Sequence, residues 1–187
     1  MKYWVGVTDN NWFDFLSKRT PEEVNFWRPK SLNQFRAIDP GVLFLFKLHS
    51  PLNYIAGGGF LFRHTFLPLS MAWEAFQENN GLPTHQEFWH AINRIRKDDE
   101  KDPTIGCTLL ANPFFWEREK WIPVPEDWSP SLVQGKGYDS SDGAVGEALW
   151  RAVQLNLLSS NEQGIKNAVQ ERDPDAAYGR PILHQPR

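Results

Sequence analysis

The chain has 187 residues, 41% of them hydrophobic, and a net charge of −3, which is enough apolar content for one buried core and too little positive charge for a bulk polycation. Its single cysteine, Cys107, excludes an internal disulfide framework and a cysteine-based zinc site, and suits a reducing cytoplasm. No apolar run approaches a membrane span, the run from Val42 to Phe46 being stopped by Lys47, and Met1-Lys2-Tyr3-Trp4 does not read as a signal peptide.

Tyr3 to Val7, aromatic and β-branched, predicts a first strand. The turn cluster Thr8-Asp9-Asn10-Asn11 can cap a short helix over Trp12 to Ser17. Pro21-Glu22-Glu23 reads as a second helix start or a turn, ahead of Asn25-Phe26-Trp27-Arg28-Pro29. Asp39-Pro40-Gly41 marks a tight turn. Val42 to Leu48 follows, apolar on both faces and therefore a central strand. The next strand, Asn53 to Phe62, is interrupted by Gly57, Gly58 and Gly59, which mark a bulge or a close backbone approach. No Gly-Lys-Ser/Thr follows, so this is not a phosphate loop.

The middle of the chain is helical. Pro68 to Asn80 places Leu69, Trp73 and Phe76 at helical spacing and stops at Gly81. Thr84 to Arg96 puts Phe88, Ile92 and Ile95 on one face, with Thr84 and Glu87 as a capping box. The acidic run Asp98 to Asp102 lacks calcium-loop spacing and reads as solvated. Strands return at Ile105 to Ala111 and at Trp121 to Pro123, and Glu126 to Tyr138 is loop-rich. Gly146 to Leu158 forms a closing helix, and Ser159 to Pro174 a polar linker. The expected organisation is an α+β domain over residues 1–158 and a tail over 159–187.

Catalytic patterns are missing from the sequence. His85 and His90 are five apart, beyond the one-turn spacing of two metal ligands, and Ser141 is not in a nucleophile elbow. The His and Asn set that an HNH nuclease needs to hold its metal cannot be assembled from His49, His64, His85, His90 and His184. Neither a catalytic residue nor a cofactor is therefore expected in this chain. Nine tryptophans are the unusual component, a residue suited to base stacking and aromatic cages as well as to cores. Residues 1–66 carry eight Lys/Arg against five Asp/Glu, so the N-terminal third is mildly basic and able to meet phosphate.

Several strings carry a family resemblance. Lys2-Tyr3-Trp4-Val5-Gly6-Val7, Asp39 to Phe46 and the Ile55 to Gly59 strand resemble EVE domains of the PUA-like superfamily. Asn25 to Pro29, Phe44 to Pro51, Thr104 to Cys107, Trp121 to Pro125 and Gln134 to Asp139 resemble the N-terminal region of a family of bacterial HNH restriction endonucleases. The ending Tyr178-Gly179-Arg180-Pro181, running to Pro186-Arg187, resembles the segment that leads into the nuclease domain of that family. The resemblance implies a PUA-like (EVE/SRA/YTH-type) mixed β pseudo-barrel with flanking helices. It also implies a cytoplasmic recognition module for duplex DNA carrying a modified base, most simply methylated or hydroxymethylated cytosine. Cleavage, its divalent metal and any homodimer contact would belong to a nuclease domain that this sequence lacks.

Candidate base-binding residues follow. Asp9, Asn10 and Trp12 lie after the first strand, where PUA-like relatives line their pocket; otherwise they are a helix cap and a core tryptophan. Phe26, Trp27 and Arg28 combine two stacking faces with a phosphate partner, or anchor a loop. Lys47, His49 and Ser50 leave the central strand at its polar end, and Gln134, Lys136 and Tyr138 occupy a Gly-flanked loop able to contact phosphate. An RNA- or nucleotide-binding PUA-like module and a protein-interaction module are the alternative functions.

Overall fold

The structure is a computed structural model that describes residues 1–30 and 33–171. Strand β1 (Lys2–Thr8) leads into helix α1 (Asn10–Ser17), whose N-cap Asp9 accepts a hydrogen bond from the Trp12 amide at 2.9 Å. Strands β2 (Glu23–Arg28), β3 (Leu43–Leu48) and β4 (Tyr54–Pro68) follow. Helix α2 (Leu69–Phe76) runs into a 3-10 turn over Gln77–Asn80, and helix α3 (His85–Arg96) is capped by Thr84. Strands β5 (Thr104–Phe115), β6 (Ile122–Pro123) and β7 (Gly135–Asp139) precede helix α4 (Ala144–Glu171). The chain divides into two compact units, Met1–Leu149 and Trp150–Arg187. In the described residues the second unit is the continuation of α4.

Four elements differ from the sequence reading. The Pro21-Glu22-Glu23 stretch starts no helix, because Glu23 to Arg28 pairs antiparallel with β5 and its side chains alternate between two packed faces. Gln134 to Tyr138 is not a loop, since Gly135–Asp139 is a strand hydrogen-bonded to β1. Ile95, placed with Phe88 and Ile92 on the buried face of α3, is 48% exposed at the helix end. Helix α4 does not stop at Leu158 but continues to Glu171, so much of the expected linker is helical, while the Tyr178 to Arg187 segment lies outside the described residues.

The strands form one seven-stranded sheet in the order β2-β5-β4-β3-β1-β7, with β6 added to β4. Only β1 and β3 are parallel, which makes the sheet mixed. The register of β4 against β5 shifts between Gly58 and Phe60, at the glycine run expected to mark a bulge. Two strands lie between β2 and β3, so a flat sheet would hold them about 14 Å apart. Yet the ring of Phe26 on β2 is 4.8 Å from Phe44 and 6.2 Å from Phe46, both on β3. The sheet is therefore curled into a pseudo-barrel, with helices on its flanks, and the α+β class expected from the sequence is the one observed.

The barrel interior is aromatic. Trp12, Phe13, Phe26, Phe44 and Phe46 are buried together with Leu16 and Leu48. A second cluster packs α2 and α3 on the sheet through Leu69, Ala72, Phe88, Ile92, Ile105 and Cys107. Trp27 packs against both. Burying a side chain of this size contributes about 1.5–3 kcal/mol each, so these two clusters dominate the folding energy.

Candidate nucleic-acid interface

Curling the sheet brings β1 and β2 face to face and leaves a cavity of about 460 Å³ between them. Val7 and Asp9 line it from the end of β1, Trp12 from α1, and Phe26, Trp27, Arg28, Pro29 and Lys30 from β2 and its exit. His49 comes from the end of β3, Ile95 from α3, and Val133 and Gln134 from the segment before β7. Seven of the candidate residues thus share one cavity: Asp9, Trp12, Phe26, Trp27, Arg28, His49 and Gln134.

The aromatic walls are held from behind by a buried asparagine pair. The Trp12 indole N–H donates to the Asn25 carbonyl at 3.3 Å, and that of Trp27 to the Asn80 carbonyl at 2.7 Å. The Asn25 amide donates to the Asn80 side-chain oxygen at 2.9 Å. The Asn80 amide in turn donates to the carbonyls of Ala72 and Gln77. Buried amides of this kind are costly unless paired, and pairing them fixes both indoles in orientation. Trp12 is 5% exposed and meets Phe26 and Phe46 edge to face at 5.4 and 5.2 Å, so it offers the cavity an edge of the core. Trp27 is half-buried and is the freer of the two walls.

Arg28 supplies the strongest polar group. Its Nη1 donates to Gln134 Oε1 at 2.9 Å, and its guanidinium lies 5.5 Å from the centre of the Phe35 ring. Its Nη2 is buried and has no hydrogen-bond partner. Burial pulls the pKa of this group down from its ordinary value, yet a guanidinium stays charged at neutral pH. An acceptor brought into hydrogen-bond reach of Nη2 would recover a desolvation cost of about 1–3 kcal/mol or more.

The other candidates are placed elsewhere. Asn10 accepts from the His49 amide at 2.8 Å and so ties α1 to the end of β3, but it lines a different cavity, with Phe13 and Trp121. Lys47 is 7% exposed, donates to Asn53 Oδ1 at 2.9 Å and lies 5.5 Å from the Trp128 ring; burial lowers its pKa. Ser50 is in the exposed turn after β3 and does not line the cavity. Lys136 and Tyr138 both bind Asp127, Tyr138 stacks on Tyr3 at 5.9 Å, and neither lines the cavity. Burial, reinforced by the bond to Asp127, pushes the Tyr138 phenol above its usual range.

No protein family matches this sequence, and no curated protein does. Among solved structures the fold is similar to ASCH from Zymomonas mobilis, with 10% identity, a TM-score of 0.47, and coverage of 71% of this chain and 85% of that one. It is similar also to a single-substitution variant of that protein, with 11% identity, a TM-score of 0.46, and coverage of 72% and 88%.

Five lining residues escaped the sequence reading: Val7, Pro29, Lys30, Ile95 and Val133. Val133, 83% exposed, and Ile95 are large apolar residues left open to water at the cavity rim. The helical period predicted Ile95 to be buried, so its position at the end of α3 was the signal that could have placed it outside. No helix of the described residues is long and apolar enough to cross a membrane.

Proposed function

We propose that this chain is a nucleic-acid-binding module, and that the cavity between β1, β2 and α3 receives one base turned out of a DNA duplex, a methylated or hydroxymethylated cytosine. One observation carries the reading: a cavity of about 460 Å³, roomy enough for a base, whose lining gathers Trp12, Phe26 and Trp27 with Arg28, a guanidinium that keeps a buried, unpartnered Nη2. Rotating a base out of the stack costs a few kcal/mol. Each aromatic contact can return about 1–3 kcal/mol, and one bond to a charged donor about 1.5–3 kcal/mol more. The resemblance to EVE domains and to the N-terminal region of HNH restriction endonucleases supports the same reading. In that setting this chain selects the site and a nuclease domain outside it cuts.

A second reading is favoured by charge. Among the described lining residues only Arg28 and Lys30 carry a fixed positive charge, a small footprint for a duplex backbone. A free nucleotide or single-stranded RNA would need no more than that. Anisotropy titrations at fixed salt separate the two, using matched duplexes with cytosine, 5-methylcytosine or 5-hydroxymethylcytosine and the corresponding single-stranded RNA. Tightest binding to a modified duplex is expected. Equal affinity for all the duplexes removes the modified-base reader, and preference for the RNA establishes the second reading.

A further inference from the structure

We infer that Asp9 makes the cavity select an amino-bearing pyrimidine, cytosine or a 5-substituted cytosine, over the oxo-bearing pyrimidines uracil and thymine; the inference rests on the base-pocket reading above. The polar side chains around the cavity are unequal in kind. Arg28 and Lys30 only donate. The side-chain oxygen of Gln134 is engaged by Arg28 Nη1, which leaves its amide nitrogen, a donor, uncommitted, and the neutral His49 ring offers one donor and one acceptor nitrogen. Asp9 is the acceptor-only group among the described lining residues.

Asp9 is also rigidly placed. Its Oδ1 accepts from the Trp12 amide at 2.9 Å, and its backbone holds the extended cap conformation with φ −62° and ψ 129°. The cap uses one carboxylate oxygen and leaves Oδ2 for a ligand. A pyrimidine satisfies this set when it offers one donor to Asp9 and acceptors to Arg28, Lys30 or the Gln134 amide. Cytosine does so with its exocyclic amino group at the edge of the ring and with N3 and O2 beside it. Uracil and thymine have a donor only at N3, flanked on both sides by carbonyl oxygens, so a carboxylate approaching it meets two like partial charges. Like-charged contacts are what discriminate against such a ligand.

The substitution Asp9→Asn inverts this pattern without removing the cap, since asparagine caps helices as well as aspartate does. With Oδ1 still on the Trp12 amide, a donating Nδ2 replaces Oδ2. Asp9→Ser also keeps a cap but removes the ligand group. The probes are two oligonucleotide duplexes carrying 5-methylcytosine or thymine at one position, each opposite an abasic site so that neither breaks a base pair on entering the cavity. Both bases carry the same methyl group. We expect wild type to prefer 5-methylcytosine by about tenfold or more. Asp9→Asn should bring that ratio to unity or reverse it, and Asp9→Ser should bring it close to unity, with thermal melts unchanged within a few degrees. Wild-type binding with the same preference retained in both variants would overturn the role of Asp9 and leave the pocket standing. Failure of wild type to bind either probe, or the RNA and nucleotide controls, would overturn both.

Discussion

The Arg28 guanidinium donates a 2.9 Å hydrogen bond to the side-chain oxygen of Gln134, 106 residues further along the chain. Arg28 ends β2 and Gln134 precedes β7, the two strands at opposite ends of the hydrogen-bond order. One side-chain bond therefore spans the seam that the backbone ladder leaves open. It also orients the Gln134 amide and holds the guanidinium against the cavity.

Arg28→Lys tests this arrangement. Lysine keeps the charge but lacks the planar fork, so it cannot hold Gln134 and present a second donor from a fixed position. Binding of the best nucleic-acid probe should weaken by about 1.5–3 kcal/mol, the value of a hydrogen bond to a charged group. The melting temperature should change far less, because one seam bond is small beside two aromatic clusters. A large loss of stability with unchanged affinity would show that Arg28 is a structural clasp only.

The tryptophans should separate by depth. Trp12→Ala removes a ring buried among Phe26 and Phe46 and should cost about 3–5 kcal/mol of stability. Trp73, which the helical spacing placed on an apolar core face, is half-buried and stacks on His85 at 5.9 Å. Trp73→Ala should therefore cost less than Trp12→Ala and leave binding unaltered. Trp27→Ala should remove about 1–3 kcal/mol of base stacking. Melts and titrations on the three variants check the order, and equal binding by wild type and Trp27→Ala would remove Trp27 as a stacking wall.

Much of this was legible because local patterns agreed with the tertiary packing. The strand Leu43–Leu48, apolar up to Phe46, is central, Asp9 and Thr84 cap the helices they precede, and Gly81 ends the turn after α2. Asp9 and Trp12 after β1 share a cavity with Phe26, Trp27 and Arg28 along β2, because a short strand and its capped helix leave few places for them to point. What failed depended on distant partners. Lys47 sits at the polar end of the central strand and reads as a binding candidate, but it is buried beside Asn53 and Trp128 and does not line the cavity. Gly135 and Gly137 make β7 look like a loop, and only its ladder with β1 shows otherwise. Curling of the sheet, which sets β2 beside β3, is not written in any local period.

The 3-10 turn after α2 clamps the cavity wall, and Gly81 shows how tightly. Its φ is 87°, and an added methyl would fall within the van der Waals radius of the Trp12 ring. Gly81→Ala should cost about 1–2 kcal/mol for the left-handed backbone plus about 1–3 kcal/mol for overpacking. Gly41 provides the control, with φ 85° and nothing within 4 Å of the added carbon. Gly41→Ala should show the backbone cost alone. Equal denaturation midpoints for the two variants would mean that Trp12 yields without cost.

Acid should destabilise the barrel through His64 before it reaches the carboxylates. The His64 Nδ1 is 2.9 Å from the Thr108 hydroxyl, and Nε2 is buried without a partner. Phe35 and Phe66 flank the ring. Burial, and then the nearby positive charge of Arg28, lower its pKa in the folded state. The unfolded chain, with imidazole near its ordinary value of about 6.5, binds the proton more readily. Folding free energy is thus fully held above that value and falls as pH drops through and below it. Asp98 and Asp139, whose pKa values are lowered by hydrogen bonds and ion pairs, lose their contributions only at lower pH, below about 4. Melts between about pH 7.5 and 5 should therefore show a decline that His64→Asn flattens, since asparagine can still accept from Thr108 and takes up no proton in that range. An unchanged slope in the variant would assign the decline to another group.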